Sequence, residues 1–258
     1  MKNADRPRQW APGKWGRRAA MAVLLVGLSG CASGPMRIKE DPLEPLNRRI
    51  DGFNEVVDSV FLKPVAIAYR EFTPGPVRTG VDNFFGNLGD VWTLANSMLQ
   101  LKPVAATQTM MRLTINTTLG MGGLIDLATD VGLERHHEDF GQTLGYWGVP
   151  PGPYLVLPIM GPSTVRDTAA MNADRGHSVV ARRPHVPTRN SLLLLQAVET
   201  RARLLGASAI LDQAALDKYS FTRDAYLQRR NNDVFDGNPP TDEAVEPSSS
   251  QPTGPQAH

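Results

Sequence analysis

A single cysteine, Cys31, is all that this 258-residue chain contains. One thiol excludes an intramolecular disulfide and, with it, a small fold held together by such bridges. Long apolar runs are also missing. No stretch beyond residue 31 reaches the roughly eighteen uninterrupted apolar residues of a spanning helix. The longest apolar pieces are Tyr154 to Met160, interrupted by Pro158, and Leu192 to Leu195. An excess of basic charge is absent too, with 27 Lys and Arg against 26 Asp and Glu. That balance lacks the basic patch or pI above about 9 that marks nucleic-acid binding, so no nucleic-acid partner is expected.

What the chain does have is 23 glycines, 21 prolines and 41% hydrophobic residues. The apolar content suffices for a folded core, and the Gly and Pro content predicts frequent sharp breaks between short elements. The N-terminus is organised around the cysteine. Lys2, Arg6, Arg8, Lys14, Arg17 and Arg18 precede a short apolar run from Ala19 to Leu28, and Ser29-Gly30 lead into Cys31. Basic region, short apolar region and small residues before a cysteine form the grammar of a lipoprotein signal peptide. Residues 1–30 are therefore expected to be removed and Cys31 to carry lipid. Two or more acyl chains anchor stably where one binds marginally. Removing residues 1–30 takes six basic residues and one acid, leaving a formal charge of −4.

Residues 31–40 read as a lipidated linker, residues 41–232 as a helical domain, and residues 233–258 as a disordered tail rich in Pro, Ser and acids. Within the domain, Asp41 is placed to cap a helix with Pro42 at its first position. Leu43, Leu46, Ile50, Phe53, Val57 and Val60 recur at helical spacing, which suits either a core-facing or an interfacial helix. Pro64 is expected to end that helix, and a short one over 65–72 to follow. Pro76 restarts another, loosened by Gly86 and Gly89, and Val91 to Leu99 forms the next face. Pro103 opens a helix to Thr118. Ser163 or Thr164 suits a helix cap, as does Asn190 or Ser191, with Gly206 at that helix's exit. A last helix is expected over 220–231.

Three stretches resemble reactive sites and fall short of them. Leu119 to Asp126 is glycine-rich but has neither the G-x-G-x-x-G spacing nor the Lys-Ser/Thr of a phosphate loop, so close packing or a hinge fits it better. Arg135-His136-His137-Glu138-Asp139 places its histidines side by side, not one helical turn apart, so a solvated loop is expected and no metal site. Ser163 lies in G-P-S-T-V, which lacks the second glycine of a nucleophile elbow. Leu155 to Leu157 has the character of a briefly paired extended segment.

Asp41-Pro-Leu-Glu-Pro-Leu-Asn-Arg48, Asn83-Phe84 with Asn87, Leu119-Gly-Met-Gly-Gly-Leu-Ile-Asp126, Phe140-Gly-Gln-Thr-Leu-Gly145, Gly152-Pro-Tyr154, Leu157-Pro158 and Arg166-Asp167 stand in that order. They continue into Glu199 to Leu205 and Tyr219 to Arg230. Together they resemble the MlaA (VacJ) family of outer-membrane lipoproteins over about residues 41–232, with a departure at Pro45-Leu46, where Gly-Phe is commoner. The resemblance implies an all-α fold, a ring of short amphipathic helices lying in one membrane leaflet with Gly/Pro-rich connections. It implies diacylglycerol and an N-acyl chain on Cys31, with no other cofactor, and Ala32 after the cysteine points to the outer membrane.

The implied function is removal of mislocalised phospholipids from the outer leaflet and their transfer to a soluble periplasmic lipid carrier, beside an outer-membrane porin trimer and without catalysis. Phe53, Asn54, Phe84, Phe85, Gly120, Gly122 and Gly123 are candidates for a channel or its gate, with ordinary helix packing as the alternative for each. Two rival functions are a structural lipoprotein that scaffolds a porin and a lipid-processing hydrolase.

Overall fold

In a computed structural model, the structure describes residues 41–240. Cys31, the signal segment 1–30, the linker 31–40 and the tail beyond residue 240 lie outside the described residues. The described chain is predominantly helical, with one two-stranded hairpin. Among the described residues no helix is long and apolar enough to cross a membrane.

Helix α1 spans Glu44–Val57. Asp41 does not cap it. It is buried instead, accepting from Asn47 Nδ2 at 2.8 Å and from the Tyr219 hydroxyl at 2.5 Å. Pro64 does not terminate the helix either. A π-helical turn over Asp58–Leu62 runs directly into α2, Lys63–Phe72, with Pro64 in its first turn. A proline lacks an amide donor, and a widened turn accommodates its ring where a regular helix would clash. The break comes at Thr73, extended before Pro74, as a residue preceding proline prefers.

The next helix, α3, is one uninterrupted element over Gly75–Leu99, longer than the two pieces expected. Gly86 and Gly89 do not break it, because tertiary packing outweighs the helix penalty of about 1 kcal/mol per glycine. Leu101 has a positive φ of 56° and turns the chain into α4, Pro103–Thr118. A connection this short makes α3 and α4 an antiparallel hairpin.

Two short helices follow, α5 at Leu127–Asp130 and α6 at Phe140–Tyr146, capped by the Asp126 and Asp139 side chains. Strands β1, Tyr154–Leu157, and β2, Gly161–Thr164, pair antiparallel with Tyr154 opposite Thr164. Of the two residues proposed to cap α7, Val165–His177, Thr164 does so, accepting from the Asp167 amide at 3.2 Å. Helix α8 begins earlier and ends later than Asn190, Ser191 and Gly206 suggested. It spans Val186–Ala214, capped by His185. Helix α9, Lys218–Val234, is capped by Asp217 and extends into the region expected to be a tail.

Apolar packing is divided into small clusters. Ala66, Ala202 and Leu205 join α2 to α8, with Ile67 and Tyr69 against them. Tyr154, Val156 and Tyr219 join the strands to α9, supported by Ile50, Tyr226 and Leu227. Ion pairs hold the remaining elements. Arg230 on α9 reaches Asp139 at 2.7 Å and Asp167 at 3.0 Å, and the Tyr226 hydroxyl donates to Asp167 at 2.9 Å. Burial raises the Asp167 pKa, but Arg230 and Tyr226 outweigh it and the net shift is downward.

Candidate functional site

The α3–α4 hairpin has its polarity turned inside out. On α3 and its C-terminal turn, Asn87, Asp90, Thr93, Asn96, Ser97 and Gln100 are buried at spacings of three and four, one face of a helix. Thr109, Arg112 and Asn116 are the facing buried residues of α4, joined by the small Ala105. Val91, Met98, Leu99, Val104, Met110 and Met111 point outward instead. In water such a distribution leaves apolar area uncovered, and contiguous exposed apolar surface marks a membrane or partner contact.

Hydrogen bonds organise the buried polar face. Gln100 Nε2 donates to Glu138 at 2.8 Å and to the Thr143 hydroxyl at 3.0 Å, and that hydroxyl donates to Asn96 at 2.8 Å. Arg112, 1% exposed, donates from Nη2 to both Asp126 carboxylate oxygens, at 2.7 and 2.8 Å, and from Nη1 to the Leu133 carbonyl at 2.6 Å. Burial would raise the Asp126 pKa. Hydrogen bonds from Thr129, Asn116 and Arg112 prevail and bring it down to about 2. The inner face is not saturated. Asn87 Oδ1, Asp90 Oδ2, Thr109 Oγ1 and Arg112 Nε have no protein hydrogen-bond partner. Buried polar atoms are nearly always paired, so this face has capacity left for water or a polar ligand.

The glycine loop closes the α3–α4 hairpin against α5. Asn116 ties it down by accepting the Gly123 amide on its backbone carbonyl at 2.8 Å and the Ala128 amide on its side chain at 3.0 Å. Gly123 has φ +93°, and a Cβ there would lie 2.6 Å from the Asn87 Cβ. Gly122, at φ +74°, faces open space. Gly120 is buried against the Ile125 and Asn116 backbone. The loop thus separates into packing glycines at 120 and 123 and a purely conformational one at 122.

Phe84 and Phe85 meet edge to face at 5.4 Å, and Phe85 is buried at 6% exposed. It lines a cavity of about 280 Å³ with Leu88, Trp92, His137, Glu138 and Val180. Phe84, Phe85 and Gly123 are therefore gathered around one stretch of α3. Asn54, on α1, ties down the turn of the strand hairpin, donating to the Leu157 carbonyl at 2.9 Å and accepting the Ile159 amide at 2.7 Å. Phe53 is 51% exposed on α1.

The Arg135–Asp139 stretch is a loop, as its sequence suggested, with His137 exposed, but one of its residues is drawn inside. Glu138 is 7% exposed, pinned by Gln100 and by Lys102 at 3.0 Å. His137 and Glu138 stand between the Phe85 cavity and a second one of about 620 Å³, also lined by Lys102, Val104, Arg135 and Asp236. Sequence spacing could not identify this partition, because its partners lie more than thirty positions away. Ser163 is buried, hydrogen-bonded to Thr168 at 2.9 Å, and no histidine is among its partners.

Fold and site together define a mainly helical protein in which small apolar clusters hold most elements and the α3–α4 hairpin carries a polar, incompletely satisfied inner face and an apolar outer one. Residues 39–233 match the model of the MlaA lipoprotein family, and the chain belongs to that family. Relatives in Shigella flexneri and Escherichia coli K12, each called intermembrane phospholipid transport system lipoprotein MlaA, are 38% identical over 83% of this chain and 87% of their own. A Haemophilus influenzae relative of the same name is 31% identical over 82% of this chain and 88% of its own. A solved structure from work on the structural basis for maintenance of bacterial outer membrane lipid asymmetry has a TM-score of 0.67 and 37% identity. It covers 77% of this chain and 99% of that one.

Proposed function

We propose that this chain is the outer-membrane lipoprotein of an intermembrane phospholipid transport system. It withdraws phospholipids mislocalised in the outer leaflet and passes them to a soluble periplasmic carrier, maintaining lipid asymmetry without catalysing a reaction. The family assignment supports the transport system. The inverted polarity of the α3–α4 hairpin carries the mechanism: apolar side chains outside suit acyl chains, and the unsaturated polar face inside suits a headgroup.

Lipid on Cys31 holds the helices against the periplasmic leaflet, where the exposed faces of α1, α3 and α4 sink among acyl chains. A ring arrangement within that leaflet blocks its own lipids and admits those from the opposite side. Transfer runs downhill through the protein, beside a trimeric porin that braces it. The two cavities divided by His137 and Glu138 form successive stations of the path. In-cell photocrosslinking from positions lining both cavities tests this reading, with trapped phospholipid expected at each. Recovery of porin alone, with no lipid, favours a scaffolding role instead.

A further inference from the structure

We propose that the 620 Å³ cavity is a headgroup site that selects a zwitterionic, amine-bearing phospholipid over an anionic one; this rests on the phospholipid-transport reading above. The lining contains two fixed cations, Lys102 and Arg135, and four carboxylates, Glu134, Glu138, Asp233 and Asp236, a formal charge of −2 with the histidines neutral. Lys102 is engaged by Glu138 at 3.0 Å and Asp236 at 2.6 Å. Arg135 is held more loosely. Its Nε is buried without a hydrogen-bond partner, and the closest carboxylate oxygen, on Asp90, stands at 3.6 Å. Guanidinium suits a phosphate, which it can meet with two donors.

The approach of Arg135 to α3 depends on Gly86. A Cβ on Gly86 would lie 2.6 Å from the Arg135 Cζ, so that glycine leaves the berth into which the guanidinium fits. Acids at the cavity's other residues supply the complement for a cationic end group. Glu134 and Asp236 are exposed there, and the side chain of Val104 gives the opening an apolar exposed border for the first methylenes of a tail. Phosphate at Arg135 and ammonium toward Glu134 and Asp236 satisfy both ends of phosphoethanolamine. Phosphatidylglycerol brings the phosphate charge into a net-acidic cavity with no cation of its own to offset it. One unopposed charge about 4 Å away in water is worth about fivefold in affinity.

The test uses the full-length lipidated protein in detergent, offered equal amounts of phosphatidylethanolamine and phosphatidylglycerol with identical acyl chains. Bound lipid is then quantified by mass spectrometry. The wild type is expected to retain the amine-bearing lipid by about fivefold or more. Glu134→Gln with Asp236→Asn, both exposed positions, is expected to bring the ratio to about one, by lowering retention of the amine-bearing lipid relative to the anionic one. Gly86→Ala and Arg135→Gln are each expected to lower retention of both lipids by about fivefold or more. Equal retention by the wild type, a preference that survives the double acid substitution, or unchanged retention by both Arg135-directed variants overturns the proposal and leaves the transport reading standing. Retention of neither lipid by the wild type overturns both.

Discussion

Individual residues in this molecule divide into those that hold the polar interior and those that leave it open. Arg112 and Asp126 hold it. Replacing Arg112 with Leu leaves Asp126 to its hydrogen bonds from Asn116 and Thr129 alone, and losing the bonds from the guanidinium costs about 1.5–3 kcal/mol. Denaturant unfolding should show that loss. The same pair makes stability depend on pH. The folded-state pKa of Asp126, about 2, lies below the ordinary 3.8, so its contribution is fully present above about pH 4 and is lost as pH falls toward about 2. Wild-type protein should therefore lose stability across that acid window, and the Asp126→Asn variant should show a shallower decline there. Among the glycines, Gly123→Ala meets both a forbidden φ and the Asn87 side chain, whereas Gly122→Ala meets only the φ. The expected costs are about 2–4 kcal/mol for the first and about 1 kcal/mol for the second. Equal melting of the two variants would contradict the division of the loop into packing and conformational glycines.

At the scale of elements, the apolar outer face of α3 and α4 has no protein partner among the described residues. Met98→Glu with Met110→Glu removes apolar area there without touching the buried side of either helix. These changes should leave the fold and its melting in detergent nearly unaltered, while flotation with phospholipid vesicles falls by about tenfold or more. A destabilised fold with undiminished flotation would mean that the face packs on protein instead. Element boundaries were the least legible part of the sequence. Pro64 reads as a stop, yet the π turn at Asp58–Leu62 absorbs it, and nothing local announces such a turn. Gly86 reads as a weak point because its packing partner, Arg135, is distant in sequence, while Gly89 faces open space and is simply carried by the helix. Thr164 as a cap and Leu155 to Leu157 as a paired strand were legible, since both follow from local chemistry.

For the molecule as a whole, the helical class and the family were legible in long ordered motifs, and the candidate site only partly. Phe84 and Phe85 are neighbours on α3, where Gly123 packs against Asn87, and that placement does not by itself make them the lining of a path. Asn54 serves the strand hairpin, and the burial of Glu138 was hidden because a carboxylate in a charged run looks solvated until Gln100 and Lys102 close over it. The inverted polarity was hidden for a related reason. Helical periodicity reports that a helix has two faces and is silent on which one meets lipid. On the reading proposed above, this helical protein removes phospholipid from the outer leaflet. The most direct measurement is labelling of surface aminophospholipid in intact cells with a membrane-impermeant amine reagent. Cells lacking the protein should show raised labelling that the wild-type chain returns to the parental level and the Cys31→Ser chain does not. Unchanged labelling in the deletion strain, with porin and lipopolysaccharide levels normal, would contradict the claim.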